Sequence, residues 1–254
     1  MSALPVSVRL ALWGTLALAG RVGAADVVQL AHPDVDAVAG DPAGRLELWR
    51  DLGEQVVLVA LPHPGDLTGM PRCSPDVAGV AADAGECVYV AGIGGLLVPD
   101  QAEFGPVGDV GTRVDWQAYE AEPVPRHTLE MLSLSELERE LAAAVGEASH
   151  DLERVHGRPW SSAPRDSADR RLAAGPWGLP ADTSSRALRV MATAARVTTI
   201  ADEGLVLAAS GPALDLHSSR HREMGLRTLQ GRADRTLAAA ANLAVMDLAG
   251  WRPA

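Results

Sequence analysis

The chain has 254 residues, 47% of them apolar, and a net charge of −11, enough apolar sequence for a substantial core and too much for a chain disordered throughout. All 22 basic residues are arginine. Without lysine the chain cannot carry a Walker-type P-loop, a pyridoxal-phosphate Schiff base or the strand lysine of a protein kinase.

A single Asn (Asn242), a single Phe (Phe104) and only two Ile (Ile93, Ile200) accompany the missing lysine. This is the usage of a high-GC bacterial genome, so the absence is compositional. The charge is unevenly placed: residues 1–130 hold 7 Arg against 18 Asp and Glu, whereas residues 131–254 hold 15 of each. An acidic half repels nucleic-acid backbones and anionic lipid, and no apolar run reaches the roughly 20 residues of a membrane-spanning helix. Neither nucleic acid nor membrane is expected as a partner. Cys73 and Cys87 are too few for a disulfide framework and lack C-x-x-C spacing, which points to a reduced cytoplasmic setting with no structural metal and no cofactor.

In chain order, Val6, Val8, Leu10, Leu12, Leu16 and Leu18 alternate with smaller or polar residues, and this period of two predicts a first strand over 6–18. Arg9, the apolar run and Val22-Gly23-Ala24 also imitate a signal peptide. Against that stand the alternation, Arg21 before the cleavage-like site and a positive region of one arginine. Residues 24–38 carry a helix-like apolar spread interrupted by Pro33.

Two similar units follow. Asp41-Pro42 and Ser74-Pro75 each offer an N-cap with proline at the first helical position, Gly53 and Gly85 can end the helices, and the apolar strands Val56–Leu61 and Cys87–Ala91 come next. Repeated helix-then-buried-strand units predict a largely parallel sheet covered on both faces. Gly92-Ile93-Gly94-Gly95 reads as a turn into Leu96–Val98, and the alternation of Thr112–Tyr119 suits an antiparallel edge strand. Residues 120–126, with Pro123 and Pro125, read as a linker.

Beyond it the periodicity is helical. Ser133 and Glu136 form a capping box, and Leu134, Leu137, Leu141, Val145, Ala148, Leu152 and Val155 make one stripe. A Pro/Gly-rich loop at 157–182 separates this helix from a second, from Asp182 or Thr183 to about Ala208, weakened by the β-branched run 197–200. A third runs from about Ser218 to Gly250, and Met131, Met191, Met224 and Met246 are expected to fill the helical core. The predicted architecture is α/β: an acidic domain at 1–125 with a mixed, largely parallel sheet and covering helices, then an Arg-rich helical domain of three helices at 126–254.

Ligands of open α/β sheets bind beyond the carboxyl ends of parallel strands, which directs attention to the segment after Val56–Leu61. There His63, Asp66, Thr68, Arg72 and Cys73 are held by three prolines and two glycines, ahead of a helix N-terminus that can bind an anion or acidify a thiol. With Gly92 and Gly94 of the following turn these are the candidate ligand-binding residues, His63 and Asp66 as acid/base or polar anchors and Arg72 as an anion holder. The same segment also reads as a tight loop in which Asp66 makes an Asx-turn. Gly92-x-Gly94-Gly95 opens no helix and completes no dinucleotide fingerprint, and His217 and His221, with His150 and His156 as the nearby histidines, read as surface residues. Arg220, Arg222, Arg227, Arg232 and Arg235 most simply form a solvated face, and otherwise an interface to the acidic half. No catalytic constellation is recognisable, so the leading expectation is a non-catalytic cytoplasmic interaction or regulatory protein that engages a protein partner or a second copy through its C-terminal helices. The second expectation is a small-molecule binder or enzyme using the 62–73 loop.

Overall fold

The structure, a computed structural model, describes residues 4–106, 108–131, 133–154, 177–210 and 216–251. Five strands form one mixed sheet in the order β1-β5-β4-β3-β2, with β1 at Ala37–Ala39, β2 at Leu58–Ala60, β3 at Cys87–Tyr89, β4 at Gly95–Phe104 and β5 at Gly111–Glu120. The α/β class is as expected, but only β1 and β5 run parallel; β2/β3, β3/β4 and β4/β5 are antiparallel. The largely parallel sheet is therefore corrected. Unbroken apolar runs such as 56–61 report burial on both faces, which a covered antiparallel strand satisfies equally well. The local helix signals hold within this topology. In α3 (Pro42–Asp51) Asp41 accepts from Gly44 N at 3.0 Å, and in α4 (Pro75–Ala84) Ser74 accepts from Val77 N and Gly85 closes the helix at φ +75°.

Residues 6–18 are not a strand but a helix, α1 (Val6–Leu18), and every residue except Trp13 is buried. It packs against α2 (Ala24–Ala31), α3, β2, β3 and the last helix of the chain. A helix enclosed on all sides needs no apolar stripe, so its sequence carries no period of 3.6. Length is the better guide: thirteen continuous residues exceed an ordinary strand and suit a helix. α2 stops just before Pro33, and the chain then enters β1, an element absent from the sequence reading. β1 removes β5 from the edge. Asp36 secures the junction, its backbone N donating to Thr112 O at 2.9 Å and its carboxylate accepting from Thr112 N at 2.7 Å. His32, held neutral by burial, lies Nδ1 to Val28 O at 2.7 Å and accepts from Trp116 Nε1 at 3.1 Å.

The free edge of β2 is closed by side chains. Asn242 accepts from Val59 N at 2.8 Å and donates to Val59 O at 2.9 Å, as a neighbouring strand would, while Thr15 accepts from Val57 N at 3.0 Å. The asparagine belongs to α8 (Leu216–Leu248), the longest helix, which follows α5 (Arg126–Glu130), α6 (Leu134–Arg154) and α7 (Ser185–Ser210). The segment between β5 and α5 is docked rather than free: Ala121 N donates to Gly94 O, Glu122 N to Arg72 O and Val124 N to Ala91 O. α7 remains helical through 197–200 because it packs extensively against α8; Thr198 donates to Asp234 across that contact, while Thr199 returns its hydroxyl to Ala195 O. One apolar core runs without interruption from Val6 to Met246, through the sheet and the C-terminal helices alike. Met191 and Met246 lie within it; Met131 and Met224 are exposed instead. Most of the Pro/Gly-rich 157–182 loop, 157–176, lies outside the described residues, as do His156 and the side chain of His217.

Candidate functional site

The 62–73 segment leaves β2 and folds onto α8. His63 and Asp66 exchange backbone hydrogen bonds, N to O at 2.8 and 2.9 Å, around Gly65 at φ +89°, a turn that only glycine makes without strain. Both side chains then reach the helix. His63 Nε2 lies 2.6 Å from Asp234 Oδ2, whose other oxygen accepts from Thr198 Oγ1 at 2.7 Å. Asp66 accepts Thr68 N at 3.1 Å, the expected Asx-turn, and pairs with Arg235 at 2.9 Å. The bond to Asp234 raises the His63 pKa despite burial, because the protonated ring is the form that donates to a carboxylate. Burial works against ionised Asp66, but the Thr68 bonds and Arg235 hold its carboxyl below the ordinary value.

The other sequence candidates stand apart. Arg72 is exposed, and among the described residues only its carbonyl is bonded, to Glu122 N. Cys73 is half-buried and burial pushes its thiol up, the reverse of the acidified nucleophile considered from sequence. Gly92 and Gly94 serve the β3–β4 turn: a Cβ on Gly92 would meet Glu54 at 2.6 Å, and one on Gly94 would meet the Ala121 carbonyl at 1.9 Å. Of the arginines on α8, Arg235 crosses to the acidic half, whereas Arg227 pairs with Glu223 and Arg232 with Glu147.

A cleft of about 720 Å³ opens beside the loop, within the range of small-molecule pockets. β2 and β3 form its floor through Val59 and Tyr89, α8 and α6 form its walls, and Thr68, Met70 and the 124–129 stretch complete it. The lining is mostly apolar. At the mouth, Arg232 pairs with Glu147 at 2.5 Å and Arg235 with Asp66, while the Glu140 carboxylate has no partner among the described residues. Inside, Tyr89 is 2% exposed, and its hydroxyl makes no hydrogen bond with any described residue. Burial pushes its pKa up, so it remains a protonated donor.

A second, smaller hollow of about 240 Å³ lies on the other side of α8 and is charged. Arg9, 1% exposed, pairs there with Asp34. Glu86 accepts from Ser7 N at 2.7 Å and Gln101 Nε2 at 2.6 Å, its carboxyl raised by burial. Asp202 and Asp234 close the far wall. Among the described residues, no group of three His, Cys, Asp or Glu could hold a metal ion, and no helix is long and apolar enough to cross a membrane.

Sequence reading singled out His63, Asp66 and Thr68 but not Tyr89, Asp234 or Asn242. Two faint signals existed: Asn242 is the chain's only asparagine, and Asp234 falls within the apolar register of its helix. Residues 7–130 match the N-terminal domain of Rv1486c-like proteins, and residues 135–238 match the C-terminal domain of the same proteins. The chain is Rv1486c-like in both halves. No curated protein and no solved structure matches it. The interval between the two Rv1486c-like domains falls at the start of α6. The cleft takes Val59, Tyr89 and Leu129 from the first domain and Leu137, Glu140 and Arg235 from the second.

Proposed function

We propose that the chain is a cytoplasmic small-molecule-binding protein whose ligand lies in the cleft between β2/β3 and α6/α8. The observation that carries this reading is an apolar-lined space of about 720 Å³ whose lining includes Tyr89, a side chain with no hydrogen-bond partner among the described residues. Binding is favoured over turnover because His63 and Asp66, the acid–base groups of the loop, are engaged with Asp234 and Arg235. Two unpaired cysteines suit a reducing compartment. The test is a thermal-shift screen of metabolites on the wild-type chain and on Ala239→Trp, which places an indole in the cleft wall. A ligand at 100 times its dissociation constant stabilises by about 2.7 kcal/mol. A rise in Tm that Ala239→Trp lacks supports the proposal, and hits indifferent to the plug would sink it.

A second reading makes the chain an interaction protein that engages a partner, or a second copy, through its C-terminal helices. It is favoured by Val206 and Leu207 of α7 and Met224 of α8, which are all exposed. Sedimentation velocity on wild type and on the Val206→Ser, Leu207→Ser double variant tests self-association. A wild type that remains monomeric at every concentration removes the second copy as the occupant.

A further inference from the structure

Resting on the reading of the cleft as a ligand site, we propose that its ligand is an uncharged, largely apolar molecule carrying one hydrogen-bond-accepting oxygen, such as a ketone, ester or amide carbonyl. Three observations define that class. The wall is built of Val59, Met70, Val124, Leu129, Leu137 and Ala239, which reward apolar surface and offer nothing to a solvated charge. Tyr89 is buried, and its hydroxyl has no hydrogen-bond partner among the described residues. Solvent reaches this hydroxyl while the cleft is open, and a ligand that covers it must bring an acceptor oxygen in place of water.

The third observation is the charge at the mouth, which excludes an anion. Both guanidiniums are committed, Arg232 to Glu147 and Arg235 to Asp66. With Glu140 added, two cations face three carboxylates. An incoming carboxylate would share a cation already neutralised and sit among like charges. A neutral molecule leaves both pairs intact. Asn242 directs its amide to the backbone of Val59, which leaves Tyr89 as the uncharged side-chain donor open to the ligand among the described residues.

Naphthyl probes sharing one body separate the class from the site: acetonaphthone as the neutral ketone, naphthoate as the anion and ethylnaphthalene as the hydrocarbon, each titrated calorimetrically. The ketone should bind about tenfold more tightly than the hydrocarbon, the worth of one hydrogen bond, and more tightly than naphthoate. Tyr89→Phe, which keeps the ring and so the packing, should bring the ketone down to the hydrocarbon's affinity and leave the hydrocarbon unchanged. Ala239→Trp should abolish binding of all three. If naphthoate binds best, or if Tyr89→Phe leaves the ketone unaffected, the ligand class is wrong while the cleft stands as a site. If no probe binds, or if all bind Ala239→Trp as well as wild type, the cleft itself is not the site and both proposals fall.

Discussion

Two hollows flank the C-terminal half of α8, and they differ in what fills their walls. The cleft on one side is large and apolar, with its ion pairs confined to the solvent-washed mouth. The hollow on the other side is a third of the size and is lined by Arg9, Asp34, Glu86, Asp202 and Asp234. Helical geometry keeps them apart, since Asp234 and Leu237 face the charged side while Arg235, Ala238 and Asn242 face the apolar one. The contrast teaches where stability and binding reside. Charges removed from water must be matched within the fold, so the charged hollow is a structural joint. Apolar surface left open gains by being covered, and this is the ground on which a ligand is proposed for the cleft.

The sharpest way to break this contrast is Arg9→Met, which keeps an unbranched apolar stem and removes the guanidinium. It takes the guanidinium away from the fully buried Glu86 and breaks the pair with Asp34, and should cost about 3 kcal/mol in urea denaturation, the low end for a broken buried pair because Asp34 is one-third exposed. A cost below about 1 kcal/mol, the worth of a surface pair, would show that the charged hollow is not a joint. Asn242→Leu comes next. It strips both edge bonds from Val59 and should cost about 2–3 kcal/mol, and a neutral result would mean that the edge of β2 needs no closure.

The smallest effect is a pH dependence. His63 is held above its ordinary pKa by Asp234, so the folded chain binds a proton that the unfolded chain releases. That contribution is complete below the unfolded imidazole value of about 6.5 and is lost as pH rises through the folded value. In denaturant titrations from about pH 6 upward, wild type should therefore lose stability faster than His63→Gln. Parallel curves would remove the His63–Asp234 pair from the joint between loop and helix.

Legibility from sequence followed the range of the interactions. The boundaries of α3 and α4 were readable because Asp41, Ser74 and Gly85 act on backbone within three or four residues of themselves. α7 and α8 were placed to within a few residues of their observed bounds. α1 was misread because complete burial erases amphipathic periodicity. β1 was missed because three residues carry too little pattern to distinguish a strand from the end of α2. At the site, the loop drew notice through its chemistry and its prolines, and His63 and Asp66 do project onto α8. Their partners lie about 170 positions away, and no local rule connects them.

By itself the sequence determined the composition of the chain and hence its limits: no lysine chemistry, an acidic first half, arginine as the only strong cation, and an α/β order of elements with helices at the end. It also determined the local caps and turns, since these depend on neighbours along the chain. Only the tertiary structure decided that the sheet is mostly antiparallel, that Asn242 closes its edge, and that Tyr89 opens onto a cleft shared by both Rv1486c-like domains. An apolar residue records that it will be buried. Which face it meets, and whether that face is fully covered, is set by contacts between segments distant in the chain.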